Sequence, residues 1–228
     1  MDMPESPKAL DHHFEMLSTF IRGDLRRTIA DIETAVLGQN IATLSQFLEK
    51  QRVSRSMLES AAEVKRVAGQ IDVTIHALGI LKSLPHIMRP GEEVLSVSLG
   101  AGNTGRSFDL ETNFRVAEFK FIAWKGHDTV RQNGTFKDFF DLVSAETSKE
   151  KFLYLRKPEL ALRFFQGRRA LASVLSKATH DKFFNIHGER YTRVREFYQD
   201  HKHLVQIVDA SPWLPELSAL PTAETLTA

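Results

Sequence analysis

Apolar residues recur at helical spacing through the first quarter of the chain. Between Asp11 and Leu37 they fall three or four residues apart, which places them on one face of a helix. Asp11 is positioned to cap this helix and Gly38 to end it. A second amphipathic helix is expected over residues 41–50. The pattern predicts an N-terminal helical hairpin within residues 1–55 that packs or dimerises.

A third helical segment begins near Ser56. Glu59 stands three residues after this serine, and that spacing is typical of a capping box. The segment extends to about Leu84, and Pro85 is expected to end it. His76 lies in this helix, and we interpret it as a core histidine, because a single histidine in an apolar run more often belongs to the core than to a metal site.

The pattern changes from helices to strands after Pro90. Residues 94–99 predict one strand, and residues 107–124 predict two more, joined by a tight polar turn at Thr112–Arg115. Each is short and rich in branched or aromatic residues, as strands are. These three strands are expected to form the centre of a mixed sheet.

Charged residues interrupt the two later strands. Asp109 and Glu111 lie on the first of them, and Glu118 and Lys120 lie on the second. Side chains two apart on a strand share a face, so Glu118 and Lys120 point together. Asp109 approaches Glu118 if the strands pair. Burying such charges without partners is costly, so this hairpin is the first candidate for a metal site.

Glycines at positions 100, 102 and 105 match a G-x-G-x-x-G pattern. In a dinucleotide site these glycines run into a helix, whose N-terminus receives the phosphates. Here they run into the strand that begins near Phe108. A tight turn between antiparallel strands is the simpler interpretation, and a site for a phosphate-containing small molecule is a weaker one.

The rest of the chain alternates helices and strands. In order, the pattern predicts a helix from Thr129 to Val143 capped by Asp128, a buried strand at 151–156, a helix at 158–177 interrupted at 166–169, a helix at 190–201, a strand at 204–208 and a mobile tail at 211–228. We therefore predict a helical extension (1–55), an α/β core (56–210) and a tail (211–228).

Composition adds limits to this picture. The chain has 228 residues, of which 42% are hydrophobic and 26% charged, as expected of a soluble globular protein. It has no cysteine, which excludes disulfides, thiolate zinc sites and cysteine nucleophiles. The start lacks a signal-peptide pattern, and no apolar run is long enough to span a membrane. We expect a cytoplasmic protein with no membrane partner.

The order helix, strand, strand, strand, helix, strand, with an acid on the second strand and Glu-x-Lys on the third, resembles the core of the PD-(D/E)xK nuclease superfamily. The matching residues are Asp109 and Glu118-Phe119-Lys120. Gln132, four residues before Phe136, is similar to the Q-x-x-x-Y motif of RecB-type members, with phenylalanine for tyrosine. The resemblance covers roughly residues 60–157. The blocks around Asp109 and Glu118 also look like those of a widespread group of uncharacterised bacterial proteins.

Two positions depart from the superfamily pattern. Phe108 stands where a proline is common, and the helix before the sheet has no clearly matched acid, Glu63 and Asp72 being the candidates. An ion pair of Lys120 with Asp109 or Glu118 on a solvated strand is the competing interpretation of the motif.

The resemblance implies a restriction-endonuclease-like core, a mixed sheet flanked by helices, that hydrolyses nucleic acid. Asp109 and Glu118 would bind Mg²⁺ or Mn²⁺, Lys120 would activate water and Gln132 would assist. DNA is favoured over RNA as the partner. Net charge is +1, so nucleic-acid binding needs a local basic patch. The candidate substrate-binding residues are Arg106, Arg131 and Lys137. The alternative is an inactive nuclease-fold protein that binds nucleic acid or forms a homo-oligomeric scaffold through its N-terminal helices.

Overall fold

A computed structural model describes residues 7–21, 23–100, 107–122, 124 and 128–219. The chain divides into two compact units, Met1–Asp72 and Val73–Ala228. The helices are α1 (Pro7–Ile21), α2 (Leu25–Val36), α3 (Ile41–Lys50), α4 (Arg55–Ile87), α5 (Thr129–Ser144), α6 (Pro158–Phe165), α7 (Lys177–His187) and α8 (Val194–His201). The strands are β1 (Val94–Val97), β2 (Leu110–Thr112), β3 (Arg115–Lys120), β4 (Glu150–Leu155) and β5 (Gln206–Asp209).

The N-terminal unit breaks the predicted helix over 11–37 into α1 and α2. Gly23 adopts φ +86°, which disfavours a side chain, and the Asp24 carboxylate accepts a hydrogen bond from the Arg27 N–H at 3.1 Å. Asp24 therefore caps α2. The predicted Asp11 cap is wrong, because Asp11 lies inside α1. The predicted stop at Gly38 is confirmed by its φ of +79°, just beyond the end of α2.

Helix α4 begins and ends slightly outside its predicted limits. The Ser54 hydroxyl, and not that of Ser56, accepts a hydrogen bond from the Met57 N–H at 3.1 Å. Pro85 does not end the helix, which continues to Ile87. Three residues after the proline, the Met88 N–H donates to the Leu84 carbonyl at 3.0 Å.

A five-stranded mixed sheet forms the centre of the C-terminal unit. Its strand order is β1-β2-β3-β4-β5. The β1–β2 and β2–β3 pairs are antiparallel, and the β3–β4 and β4–β5 pairs are parallel. Parallel neighbours need crossover connections, and α5 supplies the one between β3 and β4. The fold is therefore α+β with a mixed sheet flanked by helices, as predicted at the level of class.

Alternate residues of the central strands enter two separate apolar clusters. Val116, Leu153 and Leu155 pack with the phenylalanines of α5, whereas Ala117 and Phe119 pack with residues of α4. This alternation follows from the two-residue period of a strand. The α5 residues are Phe136, Phe139 and Phe140, and the α4 residues include Ile80 and Ile87. Both faces of the sheet are thus covered.

The C-terminal segment is more ordered than predicted. Residues 211–219 form two short 3₁₀ helices instead of a mobile tail. The Trp213 ring stacks on His86 with 5.9 Å between centroids, and Leu214 is buried. The predicted helix over 158–177 ends at Phe165. In the described part of the chain, no helix is long and apolar enough to cross a membrane.

Candidate functional site

The β2–β3 hairpin brings Asp109 and Glu118 together. Leu110 pairs with Ala117, so the next position of the register sets Asp109 opposite Glu118. Opposite residues of an antiparallel pair have Cβ atoms about 4.5–5.5 Å apart. One oxygen of Asp109, Oδ2, also accepts a hydrogen bond from the Phe119 N–H at 2.9 Å. The Asp109 carboxylate is therefore held against β3 beside Glu118.

Lys120 meets an acid that the sequence analysis missed. Its Nζ lies 2.7 Å from Oδ2 of Asp138, which projects from α5. The Asp138 side chain is 13% exposed and that of Lys120 is 38% exposed. The ion pair therefore joins the charged end of β3 to the crossover helix. A carboxylate set among the buried phenylalanines of α5 was the signal available in the sequence.

His76 of α4 also reaches the hairpin. Its Nε2 lies 3.3 Å from the Asp109 Oδ1, and its ring lies 6.2 Å from that of Phe121. The histidine side chain is 24% exposed. His76 therefore has a polar partner, as expected of a satisfied histidine, and that partner is a candidate site carboxylate.

The site holds three carboxyl groups, those of Asp109, Glu118 and Asp138, beside one lysine, Lys120. Burial, together with the charges of Asp138 and Asp109, raises the pKa of Glu118 to about 10, although Lys120 lowers it. Burial also raises the pKa of Asp138. For Asp109, burial raises the pKa, but His76 and the Phe119 N–H lower it more. Neighbouring carboxylates compete for protons in this way, so an added cation would be stabilised here.

The donor set suits a partly hydrated hard cation. Asp109 and Glu118 supply carboxylate oxygens, which Mg²⁺ and Mn²⁺ prefer. Among the residues that the structure describes, no group of three or more His, Asp or Glu side chains is arranged to hold a metal ion. Mg²⁺ keeps several waters and is commonly held by one or two carboxylates. The pair therefore fits such an ion without a third protein ligand.

Gln132 occupies a buried position in the first turn of α5. The helix begins where predicted, because the Asp128 carboxylate caps it by accepting from the Arg131 N–H at 3.1 Å. The Gln132 Oε1 accepts a hydrogen bond from Arg169 Nη1 at 3.2 Å. This bond links Gln132 to the segment after α6.

The candidate substrate-binding cations form ion pairs along their own helix. Arg131 Nη1 lies 2.6 Å from Asp128 Oδ2, and Lys137 Nζ lies 2.6 Å from Asp141 Oδ2. Arg106 lies outside the described residues, as does most of the glycine turn. A substrate would therefore have to compete with these acids for Arg131 and Lys137.

No protein-family profile, curated protein or solved structure matches this chain. Of the residues singled out in the sequence, Asp109, Glu118 and Lys120 converge, and the structure adds His76 and Asp138 to them.

Proposed function

We propose that this protein hydrolyses phosphodiester bonds in nucleic acid, using Mg²⁺ or Mn²⁺ held by Asp109 and Glu118. The observation that carries the proposal is the meeting of these two carboxylates with Lys120 at the carboxyl end of β3. In sheets with parallel strands, this is the end at which ligands most often bind.

The order of elements supports the same proposal. From α4 onward the chain runs α4, β1, β2, β3, α5, β4, which is the order expected of a PD-(D/E)xK core. The acid precedes β2 directly, and Glu118 and Lys120 lie on β3. The agreement favours a restriction-endonuclease-like fold.

Each side chain has a role that its surroundings suit. A bound cation supplies Lewis acidity and lowers the pKa of water. Lys120 polarises the attacking water and offsets the negative charge that develops on the phosphate. Asp138 keeps Lys120 charged, because it raises the pKa of the ammonium against the effect of burial. His76 orients the Asp109 carboxylate, as partners of metal ligands commonly do.

A second candidate is an inactive protein that binds nucleic acid. The observation that favours it is the Lys120–Asp138 ion pair at 2.7 Å, in which the protein itself already compensates the charge of the proposed water-activating lysine. In that case the protein would keep the fold and bind nucleic acid but would not cleave it.

Incubation with labelled DNA and RNA separates the two candidates. Wild type is expected to cleave with Mg²⁺ or Mn²⁺ and to stop in EDTA. Lys120→Ala should lower the cleavage rate by about 10²–10³, the typical effect of removing one group that stabilises transition-state charge. Lys202→Ala, at an exposed lysine that follows α8, is the matched control.

Two results would count against the enzyme. Cleavage that survives Lys120→Ala at the wild-type rate would indicate a contaminating nuclease. Binding of the strand by wild type with no cleavage under either metal would favour the inactive binding protein.

A further inference from the structure

Arg156 is a buried cation without a protein partner in the described part of the chain. It follows β4 directly and is only 6% exposed. No described residue accepts a hydrogen bond from its Nη2 atom, and none of the ion pairs among described residues includes it. Burial alone lowers the pKa of its guanidinium, which agrees with the lack of a neighbouring acid.

Two other cations of this unit, the buried Arg115 and the half-buried Lys151, have protein partners. Arg115 donates to both carboxylate oxygens of Glu92 and to the hydroxyl of Tyr154. Lys151 donates to backbone carbonyls at the end of α5. An unpaired buried charge is strongly unfavourable. Arg156 therefore differs from its neighbours in a way that an anionic ligand would explain.

The position of Arg156 places it at the end of the sheet that carries the candidate site. Its N–H donates to the Lys120 carbonyl at 2.9 Å. The β3–β4 register pairs Lys120 with Leu155, so Arg156 stands opposite Phe121. The Phe121 ring in turn lies 6.2 Å from that of His76. Arg156 thus lies at the same end of the sheet as the charged residues of the site, with its side chain on the face of Phe121 and not on that of Glu118 and Lys120.

We propose that Arg156 binds a backbone phosphate of the nucleic-acid strand held at this site. This inference rests on the proposed function, since it takes the substrate to be a polyphosphodiester. A guanidinium presents a planar fork that matches two phosphate oxygens. Water-poor surroundings strengthen such a contact, and a phosphate would supply the missing acceptor for Nη2.

Binding of a fluorescein-labelled oligonucleotide in EDTA tests the contact without cleavage. Arg156→Ala is expected to weaken binding about tenfold or more, the usual effect of losing a charge-assisted hydrogen bond. For a single strand, the plot of log binding constant against log salt concentration should also be less steep for this variant, by about 0.7. Arg156→Lys keeps the charge without the fork and should bind at an intermediate level. Arg163→Ala, at an exposed arginine of α6, should change binding less than twofold.

Stability distinguishes a ligand-binding role from a structural one. Arg156→Met removes an uncompensated charge while keeping most of the side chain, so its thermal midpoint without nucleic acid should equal or exceed that of wild type. A midpoint well below wild type would show that Arg156 supports the fold and would overturn the proposal.

Measuring both binding and cleavage in the same variants distinguishes failure of the Arg156 contact from failure of the nuclease proposal. Weaker strand binding by Arg156→Ala, in a protein that does not cleave, supports Arg156 and rejects the enzyme. Normal cleavage kinetics and binding in Arg156→Ala reject Arg156 and keep the enzyme. Inorganic phosphate that binds wild type but not Arg156→Ala, with strand binding unchanged, would reveal a free-phosphate site and overturn the proposal.

Discussion

At the scale of single residues, Arg115 shows how the fold stabilises a charge that it buries. Its guanidinium is 3% exposed and donates to the two oxygens of Glu92, each at 2.6 Å. Its Nη1 donates to the Tyr154 hydroxyl at 2.7 Å, and the Thr112 hydroxyl donates to Glu92 at 2.7 Å. This network ties the β2–β3 turn to the segment before β1.

We expect Arg115→Met to destabilise the C-terminal unit by about 3–5 kcal/mol, because it leaves the Glu92 carboxylate buried and unpaired. Arg89→Met is the matched control, since it breaks the exposed pair with Glu150, and exposed pairs contribute little. Urea unfolding followed by tryptophan fluorescence reports on this unit, to which both Trp124 and Trp213 belong. Equal losses in the two variants would contradict the prediction.

Glu92 also predicts how stability changes with pH. Burial raises the pKa of its carboxyl, but hydrogen bonds from Arg115, Thr112 and the Arg89 N–H lower it below its ordinary 4.5. A carboxyl with a depressed folded pKa stabilises above its unfolded pKa and loses that contribution as the pH falls. The difference in unfolding free energy between wild type and Glu92→Gln should therefore shrink between about pH 7 and about pH 3. A difference in unfolding free energy that grows as the pH falls would contradict this prediction.

The candidate metal ligands give a prediction that needs no cleavage. Mn²⁺ should raise the thermal midpoint of wild type by a few °C at concentrations well above its dissociation constant. Asp109→Asn should abolish the shift. Glu111→Gln should keep it, because Glu111 lies on the same hairpin but pairs with Lys149. Equal shifts in both variants would place metal binding elsewhere.

At the scale of elements, Gly79 determines how closely α4 approaches β3. A Cβ at this position would lie 2.5 Å from ring atoms of Phe121. Glycine inside a helix costs about 1 kcal/mol relative to alanine, so its presence here follows from packing and not from helix propensity. The close approach sets α4 against the end of β3, near the helical turn that carries His76.

Gly79→Ala should therefore destabilise the protein by about 1–3 kcal/mol, as overpacking does. Adding Phe121→Leu should recover part of the loss, since the two positions share one contact. Gly69→Ala on the same helix meets nothing within 4 Å and should stabilise by up to about 1 kcal/mol. Urea unfolding followed by circular dichroism measures the unfolding free energy of all three variants. A Gly79→Ala variant more stable than wild type would contradict the close packing of Gly79 on Phe121.

Local patterns predicted the elements better than the contacts between them. The hairpin and the convergence of Asp109 with Glu118 follow from strand alternation and a short turn, which the sequence contains. The break at Gly23 was missed because apolar spacing continues across it. His76 and Asp138 come from helices, and their approach to the hairpin depends on how those helices pack. The sequence pattern places Arg156 only at the end of a buried strand, because its lack of a partner is a tertiary property.

At the scale of the whole molecule, the two units bury very different amounts of apolar surface. In the described part of Met1–Asp72, the buried residues are Thr28, Phe47 and Ser60. Large apolar side chains stay exposed there, including Leu37 at 76%, Ile41 at 88% and Leu58 at 72%. In Val73–Ala228, apolar clusters cover both sheet faces. Since burial provides most of the folding free energy, the N-terminal helices should be the less stable part.

Hydrogen exchange measured by mass spectrometry tests this difference. Amides of α2 and α3 should exchange orders of magnitude faster than those of β3 and β4, because segments with few buried contacts open at a small fraction of the global unfolding free energy. Uniform protection at every protein concentration would contradict the prediction. Protection of α2 and α3 that rises with concentration would instead support self-association through the N-terminal helices, since a second copy would cover the exposed residues. The same series on Leu58→Ser, at an exposed apolar position of α4, should then lose the concentration dependence if that residue lies in the interface.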